Sequence, residues 1–349
     1  MAKGILILSN FLVDTVGVYS AGEDLAQHLV EAGYPVWLTS RKLDKLARLY
    51  DMLATIWRLR GAYDIAIVDI FSGYAFIWAE IGCGLLRLLK KPTLFVLRGG
   101  NLPDFAARWP WRVRHLLNSA AAVVAPSGYL QAAMQSYRGD LALLPTPLDL
   151  RKYPFRLRDH PAPHLVWLRS FHAVYNPCLV PRVLKLLTGE FPEVKITMLG
   201  PDKKDGSLQK MQQLAGELGV LERIETPGAI PKREIPAWLD RGDIFINTTN
   251  YDNTPVSVME ALACGLCVVS TNVGGIPYLL EDGVTGLLVP PDDPEAMAGA
   301  IRRVLTEPGL AERLASGAQA RMSALDWAGI LPGWIEVIEK IHPSSAGLL

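Results

Sequence analysis

Short apolar runs alternate along the chain with stretches in which apolar residues recur at helical spacing. Gly4–Leu8 is a continuous apolar run typical of a buried strand, and Gly22–Ala32 follows with leucines four residues apart. The alternation continues to about residue 150 and predicts a parallel sheet with helices on both faces. The further strands predicted in this part are Pro35–Thr39, Ile65–Ile70, Thr93–Leu97 and Ala122–Ala125.

A second series of the same kind follows a proline-rich segment. Leu144–Pro163 contains five prolines, which lack a backbone donor and disfavour helix in the preceding residue, so it is predicted to link two domains. The strands predicted beyond it are Leu165–Leu168, Lys195–Leu199, Ile244–Ile246 and Cys267–Ser270, followed by a turn and a final strand within Glu281–Pro291. We predict domains at residues 1–150 and 151–325, and a C-terminal helix within 326–349 that packs back toward the first domain. Doubly wound sheets bind ligands beyond the carboxyl ends of their strands, so the predicted site is a cleft facing both sheets.

Composition and charge exclude several classes of protein. Half of the 349 residues are apolar and 20% are charged, which excludes a disordered or low-complexity chain. Lys and Arg together number 35, as do Asp and Glu, so a strongly basic nucleic-acid-binding protein is not expected. Four cysteines do not make a disulfide scaffold, and the expected compartment is the cytoplasm. The longest apolar stretch, Gly73–Leu89, contains Glu80 and Arg87 and predicts a buried helix rather than a membrane span.

Several common catalytic motifs are absent from the sequence. There is no G-x-G-x-x-G after a predicted strand, no P-loop, no G-x-S-x-G and no D-x-D, the usual pair of carboxylates that holds a metal-bound nucleoside diphosphate. His160 and His164 are separated by prolines, and Cys264 and Cys267 lack a second cysteine pair, so no metal site is expected. The two cysteines are interpreted as small buried residues.

The most informative stretch is Asn250–Gly265, which follows the predicted strand Ile244–Ile246. Thr254 is a suitable N-cap and Pro255 a suitable first helical residue, so a helix is predicted to begin at the carboxyl edge of the sheet. Such a helix end binds phosphate through its free backbone N–H groups and its dipole.

Two carboxylates flank this helix start. Asp252 precedes the helix and Glu260 lies within it. They could accept hydrogen bonds from the two hydroxyl-rich rings of a nucleotide sugar, whose diphosphate lies between those rings. The alternative is a capped helix with one surface acid. Downstream, Gly274 and Gly275 would let the backbone approach a ligand closely.

The run from Asp252 to Pro291 resembles the donor-binding half of a large family of retaining GT-B glycosyltransferases that carries an E-x7-E motif. This family is known as glycosyl transferases group 1 and is family-4-like. Asp252 and Glu260 have the motif spacing, and Pro126–Ser127, Pro145–Asp149 and Leu199–Pro201 resemble further family segments. The resemblance covers roughly residues 4 to 305 and is stronger in the second domain.

The resemblance implies a GT-B fold and a retaining transferase of hexosyltransferase type. The donor would be a UDP-, GDP- or similar sugar, and neither a metal nor another cofactor would be required. Glu260 would hold the ribose, Asp252 the transferred sugar, and Arg169 the phosphates. The other residues it places at the donor are Gly17, Asn176, Gly200, Asn253, Thr254, Pro255 and Val256.

Three departures from the family pattern matter. The first acid of the motif is Asp252, which is one methylene shorter than the usual Glu. The family's lysine after Arg169 has no counterpart, and the neutral Asn176 lies near its place. The family's histidine in the first domain falls at Arg98, which could neutralise a leaving diphosphate or be a surface arginine. His172 is a further candidate, the alternative being an exposed loop histidine.

The first domain is expected to bind the acceptor, a glycolipid, polysaccharide or small-molecule hydroxyl. Residues 81–115 contain seven bases against the single acid Asp104. Tryptophan favours lipid interfaces and bases favour anionic headgroups, so peripheral binding at the inner face of the membrane is expected. The alternative is a solvated helix face with two core tryptophans. The residues concerned are Arg108, Trp109, Trp111, Arg112 and Arg114.

Two other functions remain open at this point. A protein that binds the nucleotide sugar without turnover, acting as a scaffold, would explain the missing lysine. A sugar-nucleotide epimerase could use the same fold, but it would need further acids and histidines. No nucleic-acid partner is expected.

Overall fold

The computed structural model describes residues 3–9 and 21–341, which divide into two units. The first contains the described residues up to Pro147 together with a C-terminal helix that begins at Trp327, and the second runs from Leu148 to Asp326. Each unit contains a six-stranded sheet whose neighbouring strands are all parallel. The predicted doubly wound α/β architecture is confirmed.

The sheet of the first unit has the order β2-β1-β3-β4-β5-β6. Its strands are β1 (Ile5–Leu8), β2 (Val36–Leu38), β3 (Ile65–Ile70), β4 (Thr93–Leu97), β5 (Ala122–Ala125) and β6 (Ala142–Leu143). Its helices are α1 (Ala21–Glu31), α2 (Lys45–Arg58), α3 (Tyr74–Leu88), α4 (Leu102–Arg108), α5 (Pro110–Leu117) and α6 (Gly128–Met134). The strand order changes direction between β1 and β3, which is where doubly wound sheets open a crevice.

The sheet of the second unit has the order β12-β11-β10-β7-β8-β9. Its strands are β7 (His164–Leu168), β8 (Lys195–Leu199), β9 (Ile224–Gly228), β10 (Ile244–Asn247), β11 (Cys267–Thr271) and β12 (Leu287–Val289). Its helices are α7 (Leu179–Leu187), α8 (Ser207–Glu217), α9 (Ile235–Leu239), α10 (Val256–Ala263), α11 (Ile276–Leu279), α12 (Pro294–Thr306) and α13 (Leu310–Ser323). The sheet is buried on both sides: Ile244 and Ile246 face α7 and α12, whereas Phe245 packs with α10.

Two short edge strands, β6 and β9, were not predicted. β9 contains Pro227, and edge strands tolerate a proline because one side of the ladder is unpaired. Cys264 and Cys267 are buried as expected, and burial raises the pKa of each thiol to about 12.

The C-terminal helix α14 (Trp327–Ile341) packs on β1 and α1 of the first unit. Its Trp327 stacks on His28 with the ring centroids 4.1 Å apart, and Glu339 pairs with Lys3 at 2.7 Å. The apolar stretch predicted as a helix at Gly73–Leu89 forms α3. Over residues 3–9 and 21–341, no helix has the length and apolar character needed to cross a membrane.

Much of the predicted linker is a fixed part of the second unit. Arg158 is fully buried, and its guanidinium donates to the carbonyl oxygens of Cys264 and Gly242 and pairs with Asp240 and Asp243. Burial lowers the pKa of Arg158 because the charged form loses its hydration. The proline pattern therefore indicates an irregular backbone, while the arginine anchors that backbone to the domain.

Replacing Arg158 tests this anchor. We expect Arg158→Ala to lower the free energy of unfolding by about 3–5 kcal/mol, because it removes a fully buried cation and leaves the carbonyl oxygens of Cys264 and Gly242 without the donors it supplies. Arg156→Ala is the matched control, since Arg156 pairs with the same two aspartates from a half-exposed position and should contribute no more than about 1 kcal/mol. Urea unfolding measures both, and equal losses would contradict the anchoring role.

Candidate functional site

The candidate site in the second unit is built at the ends of two neighbouring parallel strands. β7 and β10 pair directly, so the residues that follow them lie at the same edge of the sheet. Arg169 follows β7, and the loop after β10 carries Asp252 to the start of α10. This topology brings together groups that are 83 residues apart in sequence.

Arg169 and Asp252 form an ion pair between Nη2 and Oδ2. Arg169 Nε also donates to Asn247 Oδ1 at 3.4 Å, and its guanidinium lies 4.9 Å from the centroid of the Tyr175 ring. The other carboxylate oxygen of Asp252 accepts from the backbone N–H of Asn253 at 2.8 Å. Both charged side chains are thus held in fixed orientations while remaining slightly accessible.

Helix α10 begins one residue later than predicted. Pro255 is the N-cap, with φ −70° and ψ 112°, and no side chain caps the helix. The prediction of Thr254 as N-cap was therefore wrong by one position, because the restricted φ of proline fits an extended cap as well as a first helical residue. Ser257 lies in the first turn, and its buried hydroxyl has no hydrogen-bond partner among the described residues.

Glu260 is 3% exposed, and its carboxylate is held by two donors on the same oxygen. Tyr153 Oη donates to Oε1 at 2.7 Å, and Lys232 Nζ forms an ion pair with that oxygen. No residue that the structure describes donates a hydrogen bond to the other oxygen of Glu260, Oε2. Sequence reasoning missed both partners, because Tyr153 lies in the proline-rich segment and Lys232 in a short turn before α9.

Two glycine positions near the Arg169–Asp252 pair are required by close contacts within the protein. A Cβ on Gly275 would lie 1.9 Å from the carbonyl oxygen of Asn253, and Gly275 N donates to the Asp252 carbonyl at 3.0 Å. The turn thus supports the loop that carries Asp252, and the close approach of this backbone to a ligand stays a prediction. Gly200 has φ +143°, and a Cβ there would lie 1.9 Å from the carbonyl oxygen of Arg169.

Two predicted donor-side residues have partners away from the Arg169–Asp252 pair. Asn176 donates to Asp292 Oδ1 at 3.1 Å from a left-handed backbone position. His172 accepts from Val174 N at 3.2 Å through Nδ1, and its Nε2 lies 3.8 Å from Asp205. Gly17 lies outside the described residues.

In the first unit, Arg98 follows β4 and is oriented by Asp69. Its Nε donates to Asp69 Oδ1 at 2.9 Å, and the Ser9 hydroxyl donates to the other carboxylate oxygen. All three residues lie at the carboxyl end of the sheet, since Ser9 follows β1 and Asp69 is near the end of β3. Asp69 thus orients the Arg98 guanidinium through Nε, and the two terminal nitrogens lie outside this contact.

The basic and aromatic residues around α5 are exposed. Trp109 and Trp111 are 48% and 83% exposed, so the alternative of two core tryptophans is wrong. Arg112 forms a two-pronged pair with Glu80, in which Nε and Oε1 are 2.6 Å apart. Arg114 donates to the carbonyl of Ser136 at 3.2 Å, and Arg108 is exposed at the end of α4.

The class of the fold is confirmed by solved structures. Sucrose-phosphate synthase from Thermosynechococcus elongatus matches with a TM-score of 0.83 at 17% identity, over 98% of this chain and all of that chain. HepE of Anabaena, solved in complex with UDP-glucose, matches with a TM-score of 0.75 at 18% identity, over 97% and 100% of the two chains. The two parallel sheets are those of the GT-B fold.

The second unit is the part of the chain that matches a family model. Residues 157–321 match the family model of glycosyl transferases group 1, which agrees with the resemblance found in the sequence. A D-inositol 3-phosphate glycosyltransferase of Thermomonospora curvata is 29% identical over 143 residues, 40% of this chain and 33% of that protein. The alpha-D-kanosaminyltransferase of Streptomyces kanamyceticus is 30% identical over 119 residues, 34% and 30% of the two chains. The matched region spans about a third of the length of these curated relatives.

The support of the Asp252 loop by Gly275 can be tested directly. We expect Gly275→Ala to lower the free energy of unfolding by about 1–3 kcal/mol, because the methyl group displaces the Asn253 carbonyl. Gly216→Ala in α8 is the control, since no atom outside its own helix lies within 4 Å of the added methyl group. The control should be unchanged or stabilised by up to about 1 kcal/mol. Denaturant unfolding of both variants decides the point, and an undamaged Gly275→Ala protein would refute this role.

Proposed function

We propose that the protein transfers a sugar from a nucleoside-diphosphate sugar to an acceptor hydroxyl, with retention at the anomeric carbon. The observation that carries the proposal is the Arg169–Asp252 pair at adjacent strand ends, directly before a helix start without a side-chain cap. This arrangement supports the proposal because a cation, a carboxylate and free backbone donors together suit a donor with a central diphosphate.

The diphosphate would bind at the start of α10 and at Arg169. Arg169 uses Nη2 for Asp252 and Nε for Asn247, and no described residue accepts from Nη1, which leaves a donor for a phosphate oxygen. The backbone from Asn253 to Val256 and the Ser257 hydroxyl would supply further contacts. Ser257 supports this placement because a buried hydroxyl without a partner is unfavourable unless a ligand or water satisfies it.

Glu260 would bind the ribose through Oε2. Its other oxygen already accepts from Tyr153 and Lys232, so the carboxylate is oriented before the ligand arrives. A uridine donor is favoured by the solved complexes of HepE with UDP and UDP-glucose.

In the reaction, the bond between the anomeric carbon and the diphosphate oxygen breaks, and the diphosphate leaves with the electron pair. The acceptor oxygen forms its bond to the same face of the carbon, and its proton passes to the departing phosphate oxygen. Arg169 would stabilise the charge that develops on the diphosphate, and Asp252 would hold hydroxyls of the sugar as its anomeric carbon becomes positive. Arg98, oriented by Asp69, is a candidate for a second catalytic cation.

A second candidate is a donor-binding protein without turnover. It is favoured by the pairing of both carboxylates with cations, Asp252 with Arg169 and Glu260 with Lys232, together with the absence of the family's lysine after Arg169. Measurement of product sugar with a panel of nucleotide sugars and acceptors separates the two candidates, because the scaffold would bind a donor and release no product.

Neutralising Asp252 and neutralising Glu260 should have different effects on the kinetic constants. Asp252→Asn should lower kcat about 10²-fold, or about 2.7 kcal/mol, because its contact strengthens as positive charge develops in the transition state. Glu260→Gln should mainly raise the Kd for the donor, by about tenfold, because the ribose undergoes no bond change. Steady-state kinetics with donor titration measures both effects.

Glu281→Gln is the matched control, since Glu281 is an exposed acid of the same unit. Its hydrogen bonds with the Thr285 hydroxyl are made by its backbone N–H and carbonyl. It should leave both constants unchanged. Melting curves exclude unfolding as the cause. An Asp252→Asn protein that melts early but turns over normally would refute the catalytic assignment and leave Asp252 with a structural role.

We also propose that transfer is independent of metal. The sequence lacks D-x-D, and Arg169 with the start of α10 supplies positive charge for the diphosphate. Transfer should therefore persist at full rate in excess EDTA, measured with protein passed through a chelating resin. Loss of activity in EDTA, with recovery on adding Mg²⁺ or Mn²⁺, would overturn this part of the proposal.

A further inference from the structure

Helix α2 of the first unit presents an apolar stripe to solvent. Leu46, Tyr50 and Trp57 are 79%, 73% and 54% exposed. Their spacing of four and seven residues places them on one side of the helix, while Arg48, Met52, Thr55 and Ile56 on its inner side are buried. The outer side of α2 therefore presents large apolar side chains to solvent.

Helix α3 repeats this arrangement. Its solvent side carries Tyr74, Ile77, Ile81 and Leu88, at spacings of three, four and seven residues, while residues such as Phe76 on the inner side are buried. A surface helix ordinarily has a polar outer face, and a helix that is apolar all round is normally covered. The outer side of α3 therefore lacks the polar face that contact with water alone would favour.

The stripes lie on neighbouring helices and extend to α5. The Lys45 ammonium of α2 lies 5.8 Å from the centroid of the Tyr74 ring at the start of α3. Arg112 of α5 pairs with Glu80 of α3 and lies 5.6 Å from the Phe76 ring centroid, so α5, which carries the exposed Trp111, packs beside α3. We call this surface the apolar face: Leu46, Tyr50, Trp57, Tyr74, Ile77, Ile81, Leu88 and Trp111.

The segments that carry the apolar face are strongly basic. Residues 41–60 contain six Lys and Arg against Asp44 and Asp51, and residues 74–115 contain seven against Glu80 and Asp104. Their combined net charge is +9, in a chain whose net charge is zero. The rest of the chain therefore has a net charge of −9, and these two segments hold the excess of positive charge.

We propose that the apolar face docks on an anionic lipid bilayer. Tyrosine and tryptophan place their apolar ring area and polar edge at a membrane interface, and arginine and lysine bind anionic headgroups. A second copy of the chain fits less well, because an isologous contact would bring two positive surfaces together. The proposal extends the predicted surface from residues 108–114 to the outer sides of α2 and α3, and it does not depend on sugar transfer.

Vesicle flotation of the full chain tests the proposal. The protein should bind vesicles of phosphatidylcholine with phosphatidylglycerol and not those of phosphatidylcholine alone, and added salt should weaken binding because the Debye length shortens. The triple variant Tyr74→Ser, Ile77→Ser and Ile81→Ser should reduce binding by at least about tenfold, since apolar burial contributes to the affinity. The triple variant Arg58→Gln, Arg87→Gln and Arg108→Gln should remove the preference for anionic vesicles.

The matched control is the double variant Leu221→Ser and Val284→Ser, which removes apolar side chains of 41% and 40% exposure from the second unit. It should bind vesicles like the unchanged protein. Melting temperatures establish that every variant is folded.

Three results would overturn the proposal. These are absence of binding to anionic vesicles, equal binding of the α3 triple variant, and binding that is indifferent to lipid charge. Analytical ultracentrifugation provides a separate check: a dimer of the unchanged protein that the α3 variant converts to monomer, without vesicle binding by either, would assign the face to self-association. Failure of sugar transfer with intact vesicle binding would count against the proposed function alone.

Discussion

The candidate donor site depends on one constraint: carboxylates taken out of water need cations or hydrogen-bond donors, and here those partners come from distant parts of the sequence. Asp252 is paired with Arg169 from the neighbouring strand end, and Glu260 is held by Tyr153 and Lys232 from two further segments. Removing one partner from a buried pair is far more destabilising than replacing both, so these contacts fix the geometry of the loop as well as its charge. Proline and glycine complete that geometry, since Pro255 starts α10 and Gly275 supports the Asp252 loop.

The same contacts explain how an anionic ligand could be accepted. An arginine that uses Nε and Nη2 for protein partners keeps its planar orientation and still has donors to offer, whereas an unpaired arginine would lose side-chain entropy on binding. Glu260 follows the same logic, because both of its donors reach Oε1 and the second oxygen is held in a fixed direction. Preorganisation of this kind serves a binding protein as well as a transferase, which is why kinetics, and not geometry, separates the two candidate functions.

The sequence predicted most of the strands and the loop and helix that carry Asp252 and Glu260. It did not predict contacts between side chains that are far apart in the sequence. Continuous apolar runs predicted strands such as β3 and β10, because parallel strands buried on both sides are apolar throughout. The spacing of Asp252 and Glu260 predicted which carboxylates belong together along the chain. Lys232 and Tyr153 could not be predicted, since neither lies in a motif and both reach Glu260 only through tertiary packing. The helix start was wrong by one residue at Pro255, whose φ satisfies either position.

The outer side of α3 shows a further limit of pattern reading. A run as apolar as Gly73–Leu89 predicts a buried helix, and its inner side is indeed buried, yet Tyr74 and Leu88 are 76% and 81% exposed. Composition cannot distinguish a helix covered by protein from one that is covered by something outside the chain, because the same side chains satisfy both. The distinguishing quantity is the charge nearby: a protein core excludes bases, whereas the segments around α2, α3 and α5 concentrate them. The proposed docking on a lipid bilayer rests on this combination, because a bilayer is apolar within and anionic at its surface.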